Sequence, residues 1–379
     1  MNFEFTEEQE TVRELARDIL QNEATTERVK EAAASPSGLD EELWAHLAEA
    51  NLVGLAIPEA QGGMGMGFLE LCCLLEEVGR RVAPIPVLET LVLGALPIAE
   101  FGTPAQQATW LPKVASGQAL LTAALVDAGS ADALAPATLA KPEGDGFVLE
   151  GLKRLVPVAD RAERILVPAD TGAGCAVYLV DPRATGVNLE TSRTSSGGKL
   201  SDLRLAGVLV SEEDRLGGAD AGGDQMLSWL VERALVGIAA LQMGVSDEAL
   251  AITAGYVTER EQFGVPIGSF QAVQHRAADG FIDLEALRWC TWRAAWKLAE
   301  GQPAARDAAV AKYWASEAGA RIANGTVHLH GGIGSDVDYP IQRYFLWARA
   351  LEHNLGSAAP QLAWLGRDLA QHGPMEDRS

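Results

Sequence analysis

Cysteine is scarce in this chain and positive charge is outnumbered. The four cysteines, Cys72, Cys73, Cys175 and Cys290, show neither metal-site nor disulfide spacing, which excludes a disulfide framework and fits a reducing compartment. The adjacent pair Cys72 and Cys73 reads as small buried hydrophobes on a helix. Lys and Arg number 30 against 52 Asp and Glu, a formal charge of −22, which argues against nucleic acid or an anionic membrane as a general partner. An anionic cofactor is still allowed, because a phosphate needs only local cations and helix N-termini. No run of about 18 or more apolar residues is present, so no membrane span is expected. Residues 1–9, M-N-F-E-F-T-E-E-Q, lack the basic start and apolar stretch of a signal peptide. These absences predict a soluble, cytoplasmic protein.

What is present is a large apolar share, 48% of 379 residues, enough for two or three packed units. Residues 6–9 read as a capping box with Phe5 as a hydrophobic staple, and Val12, Leu15, Ala16, Ile19 and Leu20 then recur at helical spacing. Further helices are predicted at about 39–51, 67–80, 86–101 and 104–116. The glycine-rich stretch 62–67 lacks the preceding strand and the following Lys-Ser/Thr of a phosphate loop, and reads as a loop before a helix. Residues 1–118 therefore form a helical domain. Over 119–216 the pattern changes to short β-rich runs (147–149, 164–167, 176–180, 203–210) separated by Gly, Pro, Asp and Ser, as in a small antiparallel barrel or sandwich. From 217 to 379 four long helical pieces, about 224–258, 269–300, 304–329 and 340–371, predict a four-helix bundle. The fold class is α+β and multidomain.

Residues 260–274 read R-E-Q-F-G-V-P-I-G-S-F-Q-A-V-Q, a Gly-x-Pro turn between two helices. Arg260 there offers a planar, permanently charged fork suited to a diphosphate. An ordinary helix–helix turn with a surface Arg is the plain alternative.

This block resembles the flavin-contacting signature of the acyl-CoA dehydrogenase family. Residues 57–63, I-P-E-A-Q-G-G, resemble the family's P-E-x-x-G-G loop, and 101–107 with Leu111 and Pro112 resemble its G-T-x-x-Q…L-P segment. His330, Gly331, Gly332, Ile333 and Gly334, followed by Tyr339, Pro340 and Arg343, resemble its H-G-G-x-G…Y-P…R stretch. The motifs occur in the family's order over essentially the whole chain. The resemblance implies FAD as cofactor, bound between the β domain and the C-terminal bundle with a neighbouring subunit completing the site. It implies acyl-CoA as substrate, with a carboxylate removing the α-proton and the flavin taking the β-hydrogen as hydride. It also implies an electron-transfer flavoprotein or similar acceptor, and a homo- or hetero-oligomer. By resemblance Arg260, Phe263, Gln271, His328 and the glycines Gly331, Gly332 and Gly334 touch the FAD, the glycines by letting backbone approach closely. A plain turn between bundle helices is the other reading of those glycines.

The chain departs from the family at several points. Its commonest base is a Glu just before a Gly at the end of the bundle, where this chain has Leu355; Glu352 lies one helical turn away. A minority of members place the base in an L-E-R-like phrase on the first long bundle helix, and Glu232 falls there among Trp229, Leu230, Ala234 and Leu235. Apolar surroundings raise a carboxyl pKa towards the range a base needs. A solvated Glu paired with a nearby Arg is the alternative. The adjacent Arg233, and Ser130 in the β domain, are candidate substrate contacts by the same resemblance; no metal ligands are expected. The family's T-E-P-x-A-G-S loop appears as residues 124–130, A-L-V-D-A-G-S, and its W-x-T phrase as Leu155, Val156 and Pro157. The stacking aromatic and the hydroxyl donor are both missing, and His328 stands where Gln is usual. Two expectations follow: a dehydrogenase using Glu232, or one half of a heteromeric enzyme resembling the β-type subunits of actinobacterial members that act on steroid-derived acyl-CoAs.

Overall fold

The computed structural model describes residues 4–130, 132–219 and 221–374. The N-terminal helices are α1 (Glu7–Glu23), α2 (Thr26–Ala34), α3 (Glu41–Glu49), α4 (Phe68–Arg81), α5 (Leu96–Phe101) and α6 (Pro104–Ala115), with a π-helical turn at Leu88–Ala95 leading into α5. Side-chain oxygens on Thr6, Thr25, Asp40 and Thr103 accept orphan amides at four of the N-termini. The capping box at Thr6 is present, with Gln9 N–H donating to Thr6 Oγ1 at 3.3 Å and Thr6 N–H donating to Gln9 Oε1 at 2.9 Å. The staple is not, since the fourth helical residue is the polar Glu10 and the Phe5 ring meets Trp292 edge-on at 5.0 Å. Helix α2 is absent from the sequence reading because its nine residues, T-E-R-V-K-E-A-A-A, bury only Val29 and Ala32.

Seven strands follow: β1 (Leu121–Ala123), β2 (Leu139–Glu143), β3 (Gly146–Pro157), β4 (Arg164–Asp170), β5 (Cys175–Val180), β6 (Val187–Arg193) and β7 (Lys199–Ser211). They make a single sheet in the order β1-β4-β2-β3-β7-β6, with β5 also paired to β4. The expectation of a purely antiparallel domain is corrected here: β1 and β2 both run parallel to β4. Parallel pairing joins strands distant in sequence, so alternation along one strand carries no trace of it. Ala140, Leu149, Ile165, Val167, Tyr178, Leu203 and Val208 fill this domain's own core.

The C-terminal helices are α7 (Gly223–Glu259), α8 (Gln271–Ala299), α9 (Ala305–His330), α10 (Pro340–His353) and α11 (Ala358–His372), with a small hairpin of β8 (Glu261–Gln262) and β9 (Val265–Pro266) between α7 and α8. The single piece expected over 340–371 is two helices. The chain breaks at Leu355 and Gly356, whose φ of 51° and 91° leave helical space. By length and hydropathy α7 is apolar enough to cross a membrane, but most of that stretch is buried inside the bundle.

The N-terminal helices and the bundle share one core, with α4 packed along α7. Two glycines permit that crossing. A Cβ on Gly79 would lie 2.1 Å from Leu241 O, and one on Gly244 would lie 1.9 Å from Glu76 O. Beside them the fully buried Glu76 and Glu77 meet Arg13, Arg17 and Arg80, Arg80 also pairs with Asp247, and the Tyr344 hydroxyl donates to Arg80 O at 2.9 Å. Burial pushes the Glu76 carboxyl up, and the guanidinium groups of Arg13 and Arg80 oppose the shift. This network ties α1, α4, α7 and α10 together at a fixed height. That height matters because α7 carries the first two of the three regions described next.

Candidate functional site

The first region lies at the C-terminal end of α7. Arg260 caps that helix through its N–H to Tyr256 O at 2.9 Å, and its carbonyl accepts Ile267 N–H at 2.8 Å, closing the hairpin. Phe263 and Gly264 both have positive φ, 57° and 81°, as a two-residue primed turn requires. An aromatic residue in that conformation is strained, and its ring is 95% exposed. The Arg260 side chain is exposed and makes no hydrogen bond or ion pair among the described residues. Gln271 is exposed at the start of α8, and His328 is exposed on the last turn of α9. The glycine turn follows α9 directly. A Cβ on Gly331 or Gly332 would meet nothing within 4 Å, so both backbones are open to a neighbour. Gly334 is different: it is buried, and a Cβ there would press on Val327 O at 2.7 Å, which gives it a packing role.

The Tyr256 ring stacks on His330 at 4.4 Å, so the Arg260 corner and the glycine turn share one end of the bundle. An unpartnered guanidinium together with an exposed glycine backbone that allows close approach suits a diphosphate. These residues fit FAD.

The second region is on the N-terminal half of α7. Glu232 is half-buried, burial raises its pKa, and it makes no hydrogen bond or ion pair among the described residues. Arg233 counteracts the shift without pairing, because its guanidinium lies 3.6 Å over the Trp229 ring and faces Phe68 at 5.8 Å. Burial lowers Arg233 itself to about 10. Thus the simple alternative for Glu232, a solvated carboxylate in a salt bridge, does not describe it. Leu355 packs against the core, and Glu352 is ion-paired with Arg349. Leu355 cannot take a proton, and the Glu352 carboxylate is held by Arg349. A buried Lys312 fixes this corner, its Nζ donating to Ser316 Oγ at 2.7 Å and to the carbonyls of Leu351 at 3.2 Å and Glu352 at 2.9 Å.

The third region is the β-domain corner. Asp127 accepts Thr138 N–H at 3.0 Å, Thr138 Oγ1 at 2.6 Å and Lys153 Nζ at 2.5 Å, all buried, so the loop is firmly held. The Ser130 hydroxyl is occupied within its own loop, with Ala135 O at 3.0 Å and Asp132 O at 3.1 Å, so it is not presented to a substrate. Leu155 and Val158 both have positive φ, 56° and 45°, strained for residues of this kind. The Leu155 side chain is 56% exposed where an aromatic would be needed for stacking. Pro157 supplies neither a hydroxyl nor an N–H.

Sequence reasoning missed Glu89, in the π-helical turn, a form frequent at functional sites. Burial raises its carboxyl from the usual 4.5 to about 7, and among the described residues no side chain pairs with it. The neutral form is favoured in the folded chain, so stability is full below about pH 4.5 and is lost as pH rises through about 7. Glu89→Gln is expected to flatten this dependence and to stabilise the chain at pH 8 by about 1–3 kcal/mol. Denaturant titrations at pH 5 and pH 8 check this; an unchanged pH dependence contradicts it.

Comparison with known proteins agrees with these motifs. The N-terminal domain profile of acyl-CoA dehydrogenase matches residues 6–118, and the C-terminal domain profile matches residues 223–370. Acyl-CoA dehydrogenase FadE27 of Mycobacterium tuberculosis is 39% identical, over 98% of this chain and 99% of its own length. A chain of the crystallised ChsE4-ChsE5 complex from Mycobacterium tuberculosis superposes with a TM-score of 0.93 at 39% identity, covering 99% of this chain and all of that one. A chain of the Tcur3481-Tcur3483 steroid ACAD, a G363A variant, gives 0.90 at 45% identity, covering 96% and 98%.

Proposed function

The chain belongs to the acyl-CoA dehydrogenase family, whose cofactor is FAD, and from this premise we propose that it is one subunit of a heteromeric enzyme, completing a flavin site held mainly by its partner. One contrast carries the reading. The residues that reach outward, Arg260, Phe263, Gln271 and the Gly331–Gly332 backbone, are exposed, and the Arg260 guanidinium has no partner among the described residues, whereas this chain's own β-domain corner lacks the aromatic and the hydroxyl donor. Relatives crystallised as two-subunit complexes support the same assembly, and one of them, described as a steroid enzyme, favours a steroid-derived acyl-CoA as substrate. Bound FAD supplies the hydride acceptor. Arg260 would counter the diphosphate charge, the exposed Gly331–Gly332 backbone would let the cofactor approach closely, and Phe263 would cover apolar surface of the neighbour. Native mass spectrometry of the assembly tests this: half as many flavins as chains is expected, and one flavin for every chain overturns it.

Glu232 favours a second reading, in which this chain contributes its own base. Its carboxyl is unpaired, half-buried and raised in pKa, as needed to take the α-proton near neutral pH. On that reading Glu232→Gln lowers turnover by about 10²–10⁴-fold and leaves flavin content unchanged. Full activity of the variant assigns the base to the partner.

A further inference from the structure

Three aromatic rings join the ends of α7, α9 and α10. His330, the last residue of α9, is 3% exposed and stacks on Tyr256 at 4.4 Å and 25°; Tyr339, the N-cap of α10, lies 5.2 Å from it and meets Tyr256 edge-on at 6.4 Å. The Tyr256 hydroxyl donates to His330 O at 3.3 Å. His330 Nδ1 lies 2.8 Å from Thr326 O, which makes Nδ1 the protonated nitrogen and leaves Nε2 a bare acceptor. Nε2 is buried and has no hydrogen-bond partner among the described residues. Burial lowers the imidazole pKa, so the ring is neutral. A buried acceptor left unmade costs about 1–3 kcal/mol, and a leucine or phenylalanine would avoid that cost. Something other than stability therefore accounts for the imidazole.

The stack touches both parts of the outward-facing edge. Tyr256 O holds the Arg260 N–H, one turn along α7. His330 O is the carbonyl that enters Gly331, whose φ of 63° and ψ of −140° turn the chain sharply, and a Cβ on Gly334 would pack at 3.2 Å against the His330 Cβ. Each half is thus anchored to its own ring, and the rings are anchored to each other. We propose that His330 is a positioning residue: stacked on Tyr256 and bonded to Thr326, it fixes the Gly331–Gly332 backbone relative to Arg260, so that both meet one diphosphate together. The inference rests on the reading of this edge as a flavin contact.

The test uses the chain co-expressed with an acyl-CoA dehydrogenase-like partner subunit, stripped of flavin and titrated with FAD. His330→Leu and Tyr256→Leu are expected to raise the Kd for FAD at least tenfold. His330→Phe keeps the stacked ring but loses the Nδ1 bond to Thr326 O, and should raise the Kd more than threefold but less than His330→Leu does. Arg260→Ala is the control for the edge itself. If it weakens FAD binding while both leucine variants bind within twofold of the unaltered assembly, the positioning role is overturned and the flavin edge stands. If Arg260→Ala has no effect either, the edge reading falls and this inference with it. Hydrogen exchange on the full chain gives a second readout should a variant fail to assemble. Tyr256→Leu, on α7, is expected to speed exchange of the amides at 331–335 by tenfold or more while the middle of α9 is unchanged. A merely structural role would move both segments together, and that result also overturns the proposal.

Discussion

Arg260→Ala is expected to empty the assembly of most of its flavin. The side chain is exposed and meets no counter-charge among the described residues, so nothing there holds it or would miss it. Its removal leaves the fold intact and withdraws a charge-assisted contact of about 1.5–3 kcal/mol, roughly 10- to 150-fold in Kd. Arg260→Lys keeps the charge but not the planar fork and should recover only part of the loss. Equilibrium dialysis against FAD measures both. Unchanged binding in the alanine variant would mean that the corner is an ordinary turn.

Gly244→Ala is expected to disrupt the fold itself. The added methyl would sit 1.9 Å from Glu76 O and 2.6 Å from Arg80 N, against backbone on α4 that no side-chain rotation can move. Helices α4 and α7 must then separate, opening the Arg80–Asp247 pair that joins them. Overpacking against backbone costs about 1–3 kcal/mol or more, and opening the part-exposed Arg80–Asp247 pair adds about 1 kcal/mol. Against a total stability of about 5–15 kcal/mol the variant should be largely insoluble, or melt far below the parent. A wild-type melting temperature would show that this crossing is looser than its geometry.

The long helices were legible because apolar periodicity and glycine or proline punctuation agree there. The readings at 67–80, 224–258 and 269–300 lie within two residues of α4, α7 and α8 at each end. The break at Leu355 was hidden because helical pattern resumes within a few residues on either side, although Gly356 was a signal in plain view. The π-helical turn at Leu88–Ala95 was invisible because eight residues are too few to separate its period from that of an α-helix. The parallel pairing of β1 with β4 is set by tertiary contact alone. At the candidate site, the resemblance picked out Arg260, Glu232 and the glycine turn, and the apolar neighbours of Glu232 correctly signalled a raised pKa. The commitment of Ser130 to its own loop and the packing role of Gly334 depend on hydrogen bonds and distances that no motif encodes. His330 and Tyr256 lie 74 positions apart, and only the bundle brings them face to face.

The central claim is that this chain completes a flavin site rather than holding one. The visible absorbance spectrum of the purified chain, taken alone and again after co-expression with its neighbouring subunit, tests that claim most directly. The account predicts a colourless chain alone and flavin bands near 375 and 450 nm, roughly the usual oxidised-flavin positions, only in the co-purified assembly. A yellow homomer carrying a full complement of flavin and oxidising acyl-CoA without any partner would contradict it.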